Sequence, residues 1–415
     1  MNFLLTDRKE NKTVKHPALS GIGWCSLIVK EVKIMKKLGI LLTAVLIVLV
    51  GTNIAFALGW GGGTGGTGGT GGSPTYTVIP TLIRDVIRTQ TTIATTNYNK
   101  YGMAIGSRSV TTSETKTYVD KDINGDGDYV DEGEVNVLDS TVITESTAET
   151  QWIGGSLKTS SVSTVSTTFR GDDTTTSSYI DSYAYDADGN LTGTSGSGDY
   201  YSIEKTDGAV SGVTVGAITR TFGVKDGQAL LLSSITEGSS YGKDVAATVG
   251  YSTDADENIT GIAIPDGAKA NSTFTSGSVI RDSDYSYLGG SWVSMAETQF
   301  SESNTLDTDG VTVIGYNHSA QQITYTRDAN GIVTGMDQNL LYSDIKSVTG
   351  KNTDGTPAIS YSYIKPGTSY SITSAFDSED GWYIDSETTE TALGQAPAGT
   401  FAFSTWGDFK TAYGL

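Results

Sequence analysis

Turn-forming residues interrupt the chain every few positions from Tyr76 to the C-terminus, and this spacing limits the fold more than any other feature. Between these Gly, Asp and Asn residues lie β-branched and aromatic side chains, and no long stretch repeats apolar residues at a helical period. One short segment, residues 81–88, is compatible with either a helix or a strand. We therefore expect an all-β protein with few or no helices.

The predicted strands offer little apolar area. In residues 159–168 both faces of a strand would be dominated by Ser and Thr, which suit a pleated backbone but bury few carbon atoms. Residues 245–251 are different, since their apolar side chains would share one face of a strand: Val245, Ala247, Val249 and Tyr251. We expect an extended, repetitive antiparallel sheet or a β-solenoid, and not a compact sandwich with a thick core.

An aromatic strand end, a polar turn and an aliphatic residue recur three times in the chain. The copies begin at Tyr183, Tyr251 and Tyr325 and read YAYDADGNLTG, YSTDADENITG and YTRDANGIVTG. Each copy predicts a β-hairpin, with the three tyrosines at equivalent buried positions on a common face. The pattern resembles the YD repeats of Rhs-type bacterial surface proteins. That resemblance implies only the hairpin, because the copies lie further apart than those short tandem repeats.

An acidic segment at residues 120–134 carries oxygen ligands at alternate positions, with glycines that permit a sharp turn. Such spacing suits a hard cation, and the segment resembles the calcium loops of EF-hand, dockerin and thrombospondin type 3 modules. Two registers are open. The first uses Gly125 at the turn and the ligands Asp120, Asp122, Asn124, Asp128 and Asp131, with the carbonyl of Asp126. The second uses Gly127 at the turn and the ligands Asp122, Asn124, Asp126 and Asp128. We expect Ca²⁺ to bind in one of them.

The N-terminus predicts export. Met35 begins a short basic region, an apolar core follows, and Ala55 and Ala57 form an A-x-A cleavage site. Residues 1–34 are interpreted as upstream sequence or an extended basic region, residues 35–57 as a signal peptide, residues 58–75 as a Gly-rich tether, and residues 76–415 as the β-rich region. We expect a secreted or cell-surface protein, bacterial in origin, whose mature form begins at Leu58 and does not span a membrane.

Composition excludes several kinds of chemistry. The net charge of −20 would repel nucleic acid. Cys25 and His16 lie before the predicted cleavage site, which leaves His318 as the one histidine of the mature chain. Zinc sites draw on several His or Cys ligands, and no nucleophile-elbow glycine pattern surrounds a serine. We expect His318 to hold an ordinary position in a surface loop or strand, and we predict no catalytic residue.

Three functions fit these features. The first is an extracellular structural or adhesive protein, stiffened by calcium, which contacts glycans, cell surfaces or further copies of itself. The second is a calcium-dependent polysaccharide lyase or glycosidase on a β-helix. The third is an outer-membrane β-barrel, suggested by alternating segments such as residues 400–406. The first is preferred because basic residues are sparse and scattered, whereas a sugar-cleaving groove would need them together.

Overall fold

The computed structural model describes residues 77–80, 83–119, 137–353, 356–364, 374–377, 381–384 and 388–415. Most of these residues form antiparallel β-strands, so the all-β prediction is confirmed. Residues 83–88, which were compatible with a helix or a strand, belong to a strand.

The secondary structure consists of twenty-one strands, two α-helices and one 3₁₀ turn over the described residues. The strands are β1 (Thr77–Pro80), β2 (Ile83–Tyr98), β3 (Ala104–Val119), β4 (Val137–Ile153), β5 (Ser156–Arg170), β6 (Asp173–Tyr185), β7 (Leu191–Thr206), β8 (Ala209–Lys225), β9 (Gln228–Gly242), β10 (Gly250–Thr253), β11 (Ile259–Ala263), β12 (Ser272–Val279), β13 (Tyr285–Leu288), β14 (Ser291–Ser294), β15 (Ala296–Leu306), β16 (Val313–Arg327), β17 (Val333–Lys351), β18 (Pro357–Ile364), β19 (Ser374–Asp377), β20 (Gly381–Ile384) and β21 (Thr388–Leu393). The helices are α1 (Lys243–Ala246) and α2 (Trp406–Tyr413), and the 3₁₀ turn is Asp282–Asp284.

Fifteen strands join in one sheet in the order β1-β21-β18-β17-β16-β15-β12-β9-β8-β7-β6-β5-β4-β3-β2. From β2 to β9 each strand pairs with the next along the chain, which makes a long antiparallel meander. Of the two predicted architectures, the structure therefore has the antiparallel sheet. The first and last strands of this order, β1 and β2, are separated by only two residues, so Pro80 and Ile83 lie within about 11 Å.

Hydroxyl side chains hold one face of this sheet together, and we call it the hydroxyl face. Side-chain oxygens of Ser and Thr meet across neighbouring strands at 2.8–3.1 Å in the pairs Thr92–Thr111, Ser107–Thr150, Thr144–Ser166, Ser146–Thr164, Thr175–Ser202 and Thr214–Ser240. A hydroxyl both donates and accepts, so each partner satisfies the other when water is excluded. Such pairs contribute about 0.2–1 kcal/mol each. A strand rich in Ser and Thr can thus be buried without large apolar side chains.

Glycines give aromatic rings room on the hydroxyl face. A Cβ on Gly198 would lie 2.7 Å from the Cβ of Tyr179, and one on Gly238 would lie 2.7 Å from the Phe274 ring. The Tyr200 ring packs edge-on against Phe274 with centroids 5.7 Å apart. These rings lie over the sheet because the facing strand positions carry no side chain.

The opposite face, which we call the docking face, is covered in two places by segments that leave the sheet. The first segment, with α1, β10 and β11, packs Ala246 and Ile259 on Ile203 and Val213. The second segment, residues 394–415, includes α2 and packs on β15, β16 and β17 through a second apolar cluster. That cluster comprises Phe300, Ala320, Leu341, Tyr342, Trp406 and Phe409.

Two strand predictions are wrong in these segments. Residues 243–246 form α1, and β10 begins only at Gly250. Ala246 and Val249, three residues apart, both join the apolar cluster on the docking face, so a helical turn buries them better than a strand would. Residues 400–405 form no strand, and α2 begins at Trp406. Thr405 and Asp408 form a capping box at its first turn, which fixes this start.

Candidate functional site

The predicted calcium ligands Asp120, Asp122, Asn124, Asp126, Asp128 and Asp131 lie outside the described residues, between β3 and β4 in the sequence. The predicted signal peptide and Gly-rich tether lie outside them as well. Within the part of the chain that the structure describes, no group of three or more His, Cys, Asp or Glu side chains is placed to hold a metal ion. Calcium binding therefore stays a prediction from the sequence.

The predicted lone histidine, His318, lies in the middle of β16 on the docking face, so its strand position was anticipated. The pairing register places it between Glu302 on β15 and Asp344 on β17. Its imidazole ring stacks on Tyr316 at 4.6 Å and on Trp406 of α2 at 5.0 Å, with the ring planes nearly parallel. Aromatic stacking of this kind adds about 0.5–1.5 kcal/mol per pair beyond the buried area. His318 therefore forms the middle layer between the sheet and α2.

The two carboxylates beside His318 are engaged with other partners. Glu302 Oε2 accepts hydrogen bonds from Trp406 Nε1 at 2.9 Å and from Lys410 Nζ at 3.0 Å. Asp344 Oδ2 accepts one from the Tyr316 hydroxyl at 3.1 Å. These groups anchor α2 to β15 and orient the stacked rings. No serine is in the cluster, so it lacks the nucleophile of a Ser-His-Asp relay.

Electrostatics agree with an anchoring role. Burial lowers the pKa of His318, although Glu302 and Asp344 oppose that shift, so the ring is neutral and stacks without a charge at neutral pH. Burial favours the neutral acid at Glu302, but the hydrogen bonds from Trp406 and Lys410 and the charge of Lys410 lower its pKa. The contact between Lys410 Nζ and the Glu302 carboxylate, at 3.0 Å, ties the helix to the sheet.

A second group of ionisable residues is buried on the hydroxyl face. Glu297 on β15 is 3% exposed and accepts a hydrogen bond from Gln299 Nε2 at 2.8 Å. Burial raises the pKa of Glu297 to about 7. Arg327 lies nearby and donates to the backbone oxygens of Ser294 and Gly331, both at 2.8 Å. No sequence pattern indicates this site, because Glu297 sits in an ordinary run of polar residues.

A third group pairs Asp181 on β6 with Arg220 on β8. Both side chains are buried, and the guanidinium of Arg220 also lies over the Tyr179 ring, 4.2 Å from its centroid. Burial raises the pKa of Asp181, and the charge of Arg220 opposes that shift. A buried pair of this kind is costly to break on one side, because the remaining charge stays without a partner. The pair joins β6 to β8 across Gly196 of β7, which carries no side chain there.

The three predicted hairpin turns are confirmed and share one hydrogen-bond pattern. In the first, the backbone N–H of Asp186 donates to the backbone oxygen of Asn190 at 3.0 Å. The Asp186 carboxylate accepts from the backbone N–H groups of Asp188 and Asn190 at 3.0 and 2.8 Å. Asp254 and Asp328 make the same bonds in the second and third turns. Asn99 makes them in a fourth turn, between β2 and β3, which is not among the predicted hairpins.

The tyrosines that precede these turns are not equivalent, so the prediction of a common buried face is wrong. Tyr325 is 3% exposed, Tyr183 is half-buried, and Tyr251 is 46% exposed. The difference arises because the second hairpin, β10–β11, lies outside the large sheet. Its turn instead docks through Asn258, whose side-chain oxygen accepts from the Thr167 hydroxyl at 2.5 Å. The repeat is therefore one of turn geometry.

Comparisons with known proteins add no family, because no protein-family model and no curated protein matches this chain. A search of the described residues for membrane-crossing helices found no helix that is long and apolar enough to span a bilayer.

Proposed function

We propose that the protein is an exported structural or adhesive β-protein of the cell surface or the extracellular space. One observation carries this proposal. The carboxylates beside His318 and the buried pair on the hydroxyl face are engaged with structural partners: Glu302 holds α2 on the sheet, Asp344 accepts from Tyr316, and Asp181 pairs with Arg220. Most of the described residues build the large hydroxyl-lined sheet, which supports a structural role.

Export and calcium belong to the same proposal. A signal peptide at residues 35–57 would release a mature chain starting at Leu58, with the Gly-rich segment at residues 58–75 as a tether to the sheet. Calcium at residues 120–134 would stiffen the connection between β3 and β4, since it would neutralise carboxylates that otherwise repel one another. Contacts with glycans or with further copies would then use the surface of the sheet.

Fractionation of the producing cell into medium, surface material and cell interior tests the proposal. We expect the protein in the medium or at the surface, and N-terminal sequencing of that material should begin at Leu58. An Ala57→Leu variant should block processing, because signal peptidase requires a small side chain there. An Ala44→Leu variant, which changes the apolar core without touching the cleavage site, is the matched control. A protein found only in the cell interior would overturn the proposal.

A further inference from the structure

Four exposed apolar side chains form a row across β2, β3, β4 and β5 at one end of the sheet. Tyr98, Ile105, Trp152 and Leu157 are 61%, 47%, 52% and 37% exposed. Trp152 pairs directly with Leu157, and strand alternation places all four on the hydroxyl face. The β2–β3 turn adds Tyr101 and Met103, which are 74% and 56% exposed. We call these six residues the rim patch.

The two segments that carry the rim patch differ in charge from the rest of the chain. The chain contains 47 acidic residues, yet residues 98–107 and 151–161 contain none, and Lys100 and Lys158 are their only charged side chains. Protein interfaces are enriched in Tyr, Trp and Met at their centres and depleted in Asp and Glu. Exposed apolar patches of this size on a soluble protein mark interaction surfaces.

The rim patch is also held rigidly. The Asn99 side-chain oxygen accepts from the backbone N–H groups of Tyr101 and Met103 at 2.9 and 3.0 Å, which fixes the β2–β3 turn. Next to Trp152, the turn at Gly154 packs so tightly on the β6–β7 turn that a Cβ there would lie 2.4 Å from the Asp188 carbonyl oxygen. A surface that is already ordered loses little entropy when it binds a partner.

We propose that the rim patch is the interface between two copies of this chain. The exposed area of its side chains is on the order of 700 Å², close to the roughly 800 Å² per partner of a stable interface. A second copy presents the same acid-free patch, so a two-fold contact places apolar side chains together and keeps the strongly negative surfaces apart. Self-association of this kind belongs to the structural role proposed above, and it rests on that role only for its biological setting.

The net charge of −20 opposes association of two copies. Salt screens this repulsion, and it also strengthens the burial of apolar area slightly. Both effects act in the same direction, so the dimer should tighten as the salt concentration rises. Binding of an acidic polymer to Lys100 and Lys158 would show the opposite dependence. The direction of the salt effect therefore separates a second copy from an anionic ligand.

Sedimentation equilibrium of the protein purified from the producing cell, in about 0.05 and 0.5 M NaCl, measures the association. We expect a dimer that tightens at the higher salt concentration. Trp152→Glu should weaken association by at least about 30-fold, as expected for a central hot-spot residue. Leu157→Ser is the second variant, should the first fold poorly. Ile93→Glu is the matched control, because Ile93 is 63% exposed on β2 but lies on the docking face.

A wild-type monomer at both salt concentrations would overturn the interface. So would equal dimerisation by Trp152→Glu and wild type, or association that weakens as salt rises. Circular dichroism of each variant establishes that it is folded. A monomer recovered from the cell surface would overturn the interface and leave the proposed function standing. A dimer found only in the cell interior would overturn the proposed function and leave the interface standing.

Discussion

Replacement of Glu297 by Gln should change how the stability of the protein depends on pH. Glu297 is buried on β15 beside Gln299, which in turn accepts a hydrogen bond from Gln321 at 3.1 Å. Gln has nearly the same shape and offers the same acceptor oxygen, so the variant keeps the bond from Gln299. What it loses is the ability to ionise.

The size of the effect follows from the pKa of Glu297, which burial raises from 4.5 to about 7. The folded protein holds this proton more firmly than the unfolded chain does. The resulting stabilisation is fully present below pH about 4.5 and is lost as the pH rises through about 7. At about 1.4 kcal/mol per pH unit, the wild type should lose up to about 3 kcal/mol relative to Glu297→Gln across this window. Tyr285 and Tyr325 nearby stay neutral, because burial raises the pKa of both.

Urea titrations of both proteins between about pH 4.5 and 8 measure the free energies of unfolding. The two values should nearly coincide at the acidic end, and the variant should become the more stable protein at the basic end. Glu145→Gln, an exposed position on β4, controls for the loss of one negative charge. Parallel profiles for wild type and Glu297→Gln would show that Glu297 is solvated and that the burial argument fails.

Three further predictions test other parts of the molecule. Phe409→Ala should destabilise residues 394–415 by about 3–5 kcal/mol, because Phe409 is fully buried. Limited proteolysis should then cut this segment first, and unchanged protection would refute its packing on the sheet. Asp254→Ala should cost about 1–2 kcal/mol through loss of the turn hydrogen bonds, measured by hydrogen exchange in β10 and β11, where unaltered exchange would contradict the shared turn geometry. Calcium should raise the melting temperature of chelator-treated wild type but not of a variant with Asp122→Ala and Asn124→Ala, and an equal shift in both would disprove the predicted loop.

The hairpins were predictable from sequence because their turns depend on local chemistry. An Asp or Asn whose side chain accepts from the backbone two and four residues later forms the turn in any sheet, as at Asp186 and Asp328. The same chemistry, with Gly three residues on, was readable at Asn99. This turn does not match the three predicted copies, because Thr96 stands three residues before Asn99 where each copy has a tyrosine.

The tertiary positions of these elements were not predictable from local pattern. Tyr251 precedes a turn of the same kind as Tyr325, yet one is exposed and the other buried, because only the second belongs to the large sheet. The anchoring cluster brings Trp406 onto Glu302, which lies 104 positions earlier in the chain, and onto His318 of a different strand. Its only readable sign was the capping box at Thr405, which predicts the start of a helix but not where the helix docks.

We propose that this protein acts through its surface, as a structural or adhesive protein does. The most direct test is to incubate the purified protein with envelope polysaccharide, with calcium present, and to measure the chain length of the polymer over time. We predict that the polymer keeps its length while the protein remains intact. Progressive shortening of the polymer, lost on heat denaturation of the protein, would contradict the claim and establish a polysaccharide-cleaving enzyme.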